Sequence, residues 1–420
     1  MKYFILLFPF SLSSIGFLSN LRITVADVAI LIVISYVLLI KKKIAKSNLF
    51  IISSIFFLLL FVVNFFNIII VDDLNVSRVL TSYLKLIIFS LILLTFPIII
   101  SYENLKSILK ATILIITFHS IIMLIDVTIG MPISIEEHLL NYDGIWEPMY
   151  RPNGLFGEPS FFGIFVLIFV GLIMQFELNT KIHIIKFWHF IIISLGLFVT
   201  KSITCYLSLL ILFLYYFYKH FSYKIIFTSF SVLIILYITT IYQIDLREGQ
   251  MFEMETFMSK TIFDKFILTF KYYEERVLNL LTLNDGSSSQ RLIGSFLYTL
   301  NILEQRPILG SGIGGNNLEL IIKDKDFYSI DYRVYNTLYI VPITYSNTTF
   351  YAFIIGSGGV LSLIYFYFIF WGNLFFTKKT RFYAILILIS GLTYGGVLES
   401  QFWVSIAVCI VLKEKTKIKA

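Results

Sequence analysis

Charged side chains are scarce in this chain, and a few of them stand where they could handle an anion. Arg151 opens the run R-P-N-G-L-F-G-E-P-S, which ends with Glu158, Pro159 and Ser160 at the edge of a long apolar stretch. Proline suits the first turn of a helix because its missing N–H is not needed there. The free amides of such a helix start favour an anion, and Arg151 and Glu158 would stand beside it. The plainer alternative is that Arg151 and Glu158 pair and cap the helix. Arg291 falls in the first turn of a second expected helix, which starts at Ser287, has Ser287 and Gln290 spaced as a capping box and ends before Pro307. The helix dipole disfavours a cation at that position, which hints at a role for Arg291.

Arg306 leads into P-I-L-G-S-G-I-G-G, Pro307 to Gly315. These residues match G-x-G-x-x-G formally, but a nucleotide site of that kind needs a preceding strand and a βαβ unit, and neither is visible. Glycines at this density allow close backbone approach, and the amides of Gly310 and Gly312 form either an anion nest or a plain turn. Lys201 sits in a tight hairpin between two apolar runs, where it is either simply solvated or placed to bind phosphate. Asn347 lies in S-N-T-T-F, just ahead of Gly356-Ser357-Gly358-Gly359, whose small residues permit tight helix contact or a break in the helix. Five scattered His residues give no metal-ligand spacing. Cys205 and Cys409 lie far apart in apolar runs, so neither a disulfide nor a metal site is expected.

The elements that carry these residues are those of a membrane protein. Of 420 residues, 58% are hydrophobic and 14% charged, against roughly 25% charged in a soluble domain. Apolar runs recur at bilayer-spanning length, without the polar alternation of barrel strands. The expected fold is an all-α polytopic membrane protein of about twelve transmembrane helices, because in lipid a helix satisfies its own backbone groups. Spans are expected near 3–19, 23–40, 49–71, 79–100, 110–130, 160–176, 187–200, 203–218, 225–244, 346–376, 382–397 and 399–412. They divide the chain into a bundle over 1–244 with an outer loop at 131–159, a large extracytoplasmic loop over 245–345, and C-terminal helices over 346–420. The large loop holds thirteen Asp and Glu residues between Asp245 and Asp331. It also contains an amphipathic helical pattern from Phe263 to Leu281.

Lys and Arg supply the orientation, since short cytoplasmic loops collect them. Clusters at Lys41 to Lys46, Lys106 and Lys110, Lys181 and Lys186, Lys219 and Lys224, Lys378 to Arg381 and Lys413 to Lys419 each follow an even number of spans. Both termini are then cytoplasmic. The net charge of +7 is topology on this reading, and nucleic-acid binding is not expected. Within the spans, Asp27 and Lys85 either face each other across the bundle or reach water separately, one near a helix end and the other by snorkelling.

A profile of many spans with one large outer loop late in the chain resembles bacterial O-antigen and capsular polysaccharide repeat-unit polymerases, with the related O-antigen ligases. Arg151 to Phe162 looks like the polymerase pattern of Arg, Gly and then Glu-Pro at a helix start. Ser289-Gln290-Arg291, followed by Arg306 to Gly314, resembles the arginine helix leading into a Pro-x-x-Gly-x-Gly turn. Ser346-Asn347-Thr348, followed by Gly356 to Gly359, resembles the stretch where the loop returns to the membrane. Ligases of this superfamily typically carry a histidine at that return. Here it is Asn347, and the long loop has no histidine, which favours polymerase over ligase.

The resemblance implies a metal-independent glycosyltransferase of the cytoplasmic membrane, without a cofactor, acting in the bilayer on undecaprenyl-pyrophosphate-linked oligosaccharide. A chain-length regulator protein is its implied partner. Arg151 and Arg291 would hold the departing pyrophosphate, since an arginine fork grips two phosphate oxygens at once. Arg306, Gly310, Gly312, Lys201 and Asn347 would bind substrate. Glu158 would act as base, or else only position Arg151 or a sugar hydroxyl. Trp146, Tyr150 and Phe156 are available to stack on sugar faces. A ligase acting on another acceptor and a lipid-linked oligosaccharide flippase are the alternatives.

Overall fold

The computed structural model describes residues 14–18, 21–45, 48–70, 76–100, 102–129, 139–142, 145–148, 152, 156, 159–200, 202–220, 295–310, 312, 331–334, 339–342, 349–369, 371, 377, 379–393 and 400–418. Arg151, Glu158, Lys201, Arg291 and Asn347 lie outside these residues, as do the expected ninth span at 225–244 and the amphipathic stretch at 263–281. The two expected boundaries, 244/245 and 345/346, also fall outside them.

The chain is predominantly helical and membrane-embedded. Among the described residues, four stretches are long and apolar enough to cross a membrane by length and composition, namely Ser82–Ile99, Asn104–Thr128, Pro159–Thr180 and Phe350–Ile369, and five shorter apolar helices accompany them. Among the described residues, three two-stranded antiparallel hairpins depart from the purely helical expectation: β1 (Ser14–Leu18) with β2 (Leu21–Thr24), β3 (Leu139–Tyr142) with β4 (Ile145–Pro148), and β5 (Asp331–Val334) with β6 (Tyr339–Pro342). Within the span expected at 3–19, residues 14–18 are extended and pair with 21–24, whereas the span expected at 23–40 is helical from Val25 to Lys41. An apolar run punctuated by Ser, Gly and Asn between residues 12 and 20 is a poor helix, and the extended pairing takes its place.

Two compact units make up the chain. One comprises Met1–Thr112, Gly171–Ile182 and Gly286–Ala420. It contains α1 (Val25–Ser35), continued by a π-helical turn over Tyr36–Lys41, then α2 (Asn48–Ile70), α3 (Val76–Ser90) and α4 (Ile92–Ile99). Residues 79–100, expected as one span, run through α3 and α4 with helical dihedrals at Leu91, whose amide is shared between the carbonyls of Ile87 and Ile88, and Ser82–Ile99 is one membrane-length stretch. Later in the chain come α9 (Ser295–Gln305), α10 (Phe350–Phe366), α11 (Arg381–Thr393) and α12 (Ser400–Ile418). The other unit comprises Ile113–Val170 and His183–Asp285. In it lie most of α5 (Tyr102–Ile129), the start of α6 (Pro159–Thr180), and the antiparallel pair α7 (Phe187–Val199) and α8 (Ile203–His220).

Helix α6 is apolar on all sides, and its residues from Gly163 to Phe176 are buried throughout, as expected of a helix surrounded by protein rather than lipid. Its last turns fix the start of α11. The Gln175 side chain accepts from the Tyr383 amide at 3.1 Å and donates to Asn179, which in turn donates to the Lys379 carbonyl at 2.9 Å. Asp27 and Lys85 do meet: the ammonium stands 3.6 Å from the carboxylate, with both side chains largely buried. Asp27 also lies in the first turn of α1, where the helix dipole favours it.

Helix α10 is not one straight span. Gly359 has φ +56° and ψ −141°, outside the helical region, and the chain folds back there. Phe350 and Phe366 bring their rings to 5.1 Å, whereas a straight helix would hold them about 24 Å apart. Tyr351 meets the same ring at 5.7 Å, and the Ser362 hydroxyl donates across the fold to the Ile354 carbonyl at 2.6 Å. The second half runs toward the Asn48 end of α2: Gly358 faces Leu60 and Phe56, while Tyr365 stacks on Phe56 and bonds Ser53 one turn lower. The expected single span at 346–376 is therefore corrected to a helical hairpin with Gly359 at its apex.

Phe350 touches Phe402 and lies against Gly391.

Candidate functional site

In the first unit, two of the glycine-rich motifs meet at the apex of α10. Helix α9 ends at Gln305, Arg306 follows half-buried, and Pro307 starts the turn as a residue that cannot continue the helix. The Gly310 amide donates to the Arg306 carbonyl at 3.0 Å, and the Gly312 amide donates to the Ser357 carbonyl at 2.9 Å. In the other direction, the amides of Val360 and Leu361 donate to the carbonyls of Pro307 and Ile308 at 2.8 and 3.4 Å. Breaking a helix in lipid orphans amides and carbonyls on both sides of the break, and each costs several kcal/mol if left unpaired. The Pro307–Gly312 turn supplies partners to both sides.

Glycine is required on both surfaces of this joint. Gly310 and Gly312 have φ of +63° and +81°, a region that only glycine enters freely. A Cβ at Gly310 would fall 2.6 Å from the Gly356 carbonyl oxygen, and one at Gly359 would fall 2.5 Å from that of Pro307. Between the nest and the plain turn left open by the sequence, the structure shows a third use. The Gly310 and Gly312 amides are already bonded to carbonyls of the chain, and the turn is a clasp. The G-S-G-G stretch likewise serves both of its anticipated purposes at once, a break and a close contact.

A second joint lies within the other unit and holds the helix starts that follow Glu158 and Lys201. Pro159 is the first residue of α6, as the sequence indicates. The Cys205 thiol donates to the Pro159 carbonyl at 3.1 Å, and the Ser208 hydroxyl donates to that of Gly163 at 2.8 Å. Gly163 makes this approach possible, since a Cβ there would lie 2.7 Å from the Cys205 nitrogen. The N-terminal ends of α6 and α8 are therefore neighbours. Neither Cys205 nor Cys409 is in a disulfide.

Phe156 is not available to a sugar. Its ring is fully buried against His119, Phe162 and Phe165, with centroids 5.0, 5.4 and 5.5 Å away. It anchors the motif to the protein interior instead. An invitation to bury it lay in the sequence, in the aromatic run that follows at Phe161, Phe162 and Phe165.

Among the described residues, no group of His, Cys, Asp or Glu is spaced to hold a metal ion. No protein-family model matches the chain, and no curated protein or solved structure is similar to it. What the site does must be argued from its own chemistry. Of the eight residues picked out by sequence, the described ones are Arg306, Gly310 and Gly312, and they are brought together with Gly356 to Gly359. The pairings that sequence reasoning missed are those of Ser362 with Ile354 and of Ser357 with Gly312. Ser362 was the available signal for the first, since a buried hydroxyl in an apolar stretch needs a partner, whereas the second joins the Gly312 amide to the Ser357 backbone carbonyl, which no side chain announces.

Proposed function

We propose that this chain is a polymerase that joins undecaprenyl-pyrophosphate-linked oligosaccharide units into O-antigen or capsular polysaccharide. It would work at the outer face of the cytoplasmic membrane, with about twelve spans and both termini cytoplasmic. The observation that carries this reading is the joint itself. The arginine-led Pro-x-x-Gly-x-Gly turn and the glycine stretch after Asn347, two of the three regions on which the resemblance rests, form one structure. Arg306 then stands at the foot of a rigid turn rather than in a loose loop. Preorganised donors aimed at a developing charge are often the largest catalytic contribution.

In the reaction, an acceptor sugar hydroxyl attacks the anomeric carbon of the growing chain. The bond from that carbon to the pyrophosphate oxygen breaks, and the lipid pyrophosphate leaves with the electron pair. Arg151 and Arg291 hold its oxygens, supported by Arg306, with Lys201 and Asn347 at the substrate. Glu158 takes the hydroxyl proton or orients Arg151.

Polysaccharide banding on a gel tests this, using a deletion strain complemented with wild-type, Arg151→Ala, Arg291→Ala or Glu158→Ala protein at matched membrane levels. A single repeat unit in the deletion strain, and a ladder restored by wild type but cut by on the order of a hundred-fold or more in the arginine variants, is the expected result. Loss of all surface polysaccharide with long carrier-linked chains accumulating would mark a ligase or exporter instead.

One other class has a specific observation in its favour. A charge pair between helices, Lys85 with Asp27, and a broken helix at Gly359 are devices that transporters use. Under the flippase reading, the deletion strain would keep undecaprenyl-linked single units on the cytoplasmic face, where an added periplasmic glycosidase could not trim them.

A further inference from the structure

Two helix starts converge at the second joint. Cys205 reaches the Pro159 carbonyl and, a turn later, Ser208 reaches that of Gly163, so α6 and α8 run side by side in one direction. Gly163 stands against Cys205. Pro159 lies four residues before Gly163 and Ser202 three before Cys205, so the two starts are level to within about a residue. The first amide of α8 to find a carbonyl in its own helix is that of Tyr206, bonded to Ser202 at 3.0 Å. The amides of Ile203 and Thr204 lie ahead of that ladder. Each helix start carries roughly half a positive charge, and two parallel helices here bring theirs together.

Ser202 is the N-cap of α8 and Thr204 sits in its first turn, each 3% exposed. A serine at an N-cap ordinarily accepts from an amide two or three residues on. A helical threonine ordinarily donates to the carbonyl four residues back, as Thr112, Thr117 and Thr180 do. Among the described residues, neither the Ser202 nor the Thr204 hydroxyl has a hydrogen-bond partner. Their neighbour Thr200 has one, since its hydroxyl donates to the Leu197 carbonyl at 2.7 Å. Leftover hydroxyls on buried residues are rare, and two of them at one pair of helix starts point to a ligand that accepts hydrogen bonds and carries negative charge. In sequence the two starts are flanked by one acid and one base, Glu158 and Lys201. Those charges offset, and the helix ends set the sign.

We propose that the starts of α6 and α8 form a pyrophosphate-binding site, in which Ser202 and Thr204 donate to phosphate oxygens while the helix amides and dipoles hold the charge. Two adjacent helix starts suit two linked phosphoryl groups better than one. Only the identification of this pyrophosphate with the one on the lipid carrier rests on the polymerase reading. The site itself rests on the two helix starts and the two hydroxyls.

Titration calorimetry of the full chain in maltoside micelles, with inorganic pyrophosphate and with orthophosphate, reads the site directly. Saturable pyrophosphate binding, at least about tenfold tighter than that of orthophosphate, is expected. Ser202→Ala and Thr204→Val each remove one donor and should weaken it roughly tenfold, as loss of a hydrogen bond to a charged group does. Thr200→Val removes a neighbouring hydroxyl that is turned to Leu197 and should leave the affinity within about twofold. Each variant is first checked for a monodisperse peak. Thr204→Val keeps the shape of the side chain, so its result decides even if Ser202→Ala does not fold. No saturable pyrophosphate binding by the wild type would overturn the proposal. So would equal affinity for orthophosphate, unchanged affinity in the Ser202 and Thr204 variants, or an equal loss in Thr200→Val. The banding assay keeps this apart from the polymerase reading: a wild-type ladder without pyrophosphate binding refutes the site alone, and binding without a ladder refutes the polymerase alone.

Discussion

Gly310 and Gly391 show how two glycines in apolar surroundings can matter to different degrees. At Gly310 the backbone is left-handed and a Cβ would strike the Gly356 carbonyl, a group that cannot swing away. At Gly391 the backbone is helical and a Cβ would lie 3.3 Å from the side chains of Phe350 and Tyr351. Gly310→Ala is expected to cost roughly 3 kcal/mol, from 1 to 2 for the left-handed backbone and the rest from the clash. Gly391→Ala should cost no more than about 1 kcal/mol, since rings can shift by tenths of an ångström. Thermal inactivation of detergent-solubilised protein, followed by loss of the monodisperse peak, ranks the two. Equal tolerance of both would mean that the turn is not clasped to α10. The sequence displayed the density of glycines but not their partners, because Gly310 and Gly356 are joined by distance in space alone. Phe156 was misread for a related reason: an aromatic ring beside a motif looks the same in sequence whether it faces sugar or core.

Most helices were legible from apolar run lengths. The hairpin of α7 and α8 and the start of α6 at Pro159 lie where hydropathy and the proline put them. Helix α10 was legible only in part: Gly356 to Gly359 allowed a break, but the fold-back was hidden, because a hydropathy window sums apolar residues without regard to direction. Two half-helices folded at Gly359 therefore have the same profile as one span. A cross-link distinguishes them. With both native cysteines replaced, Tyr351→Cys and Phe366→Cys should be bridged by a short bis-maleimide and recovered as linked peptides by mass spectrometry. In a straight helix they would be about 22 Å apart and beyond its reach. The Asp27–Lys85 pair gives a second prediction for elements, since it joins α1 to α3. Removing one partner leaves a largely buried charge, so Asp27→Asn should lower stability by roughly 3 kcal/mol, the low end for a buried pair. The double variant Asp27→Asn with Lys85→Met should recover most of that loss. Additive single losses in such a cycle would show that the two charges do not depend on each other.

Sidedness belongs to the whole chain, and one hydrogen bond constrains it more tightly than any loop charge. Positive residues predict that the ends after α6 and before α11 are both cytoplasmic, but that inference counts every span between them correctly, including the ninth and the folded α10. The bond from Asn179 to the Lys379 carbonyl needs no count. It predicts that residue 179, at the end of α6, and residue 379, before α11, share one face of the membrane whatever lies between. Fluorescent-protein fusions truncated after Lys181 and after Lys379 should therefore agree, and the positive-inside pattern further predicts that both fluoresce, the mark of a cytoplasmic end. Alkaline phosphatase fused after Asp143 or Asp324 should be active, as an extracytoplasmic position requires. If the Lys181 and Lys379 fusions disagree, the chain crosses an odd number of times between them and the packing of α6 on α11 is wrong. If they agree but both are dark, that packing stands and the orientation of the molecule is reversed, which would bring the glycine joint to the cytoplasmic side and exclude a polymerase acting on the outer leaflet.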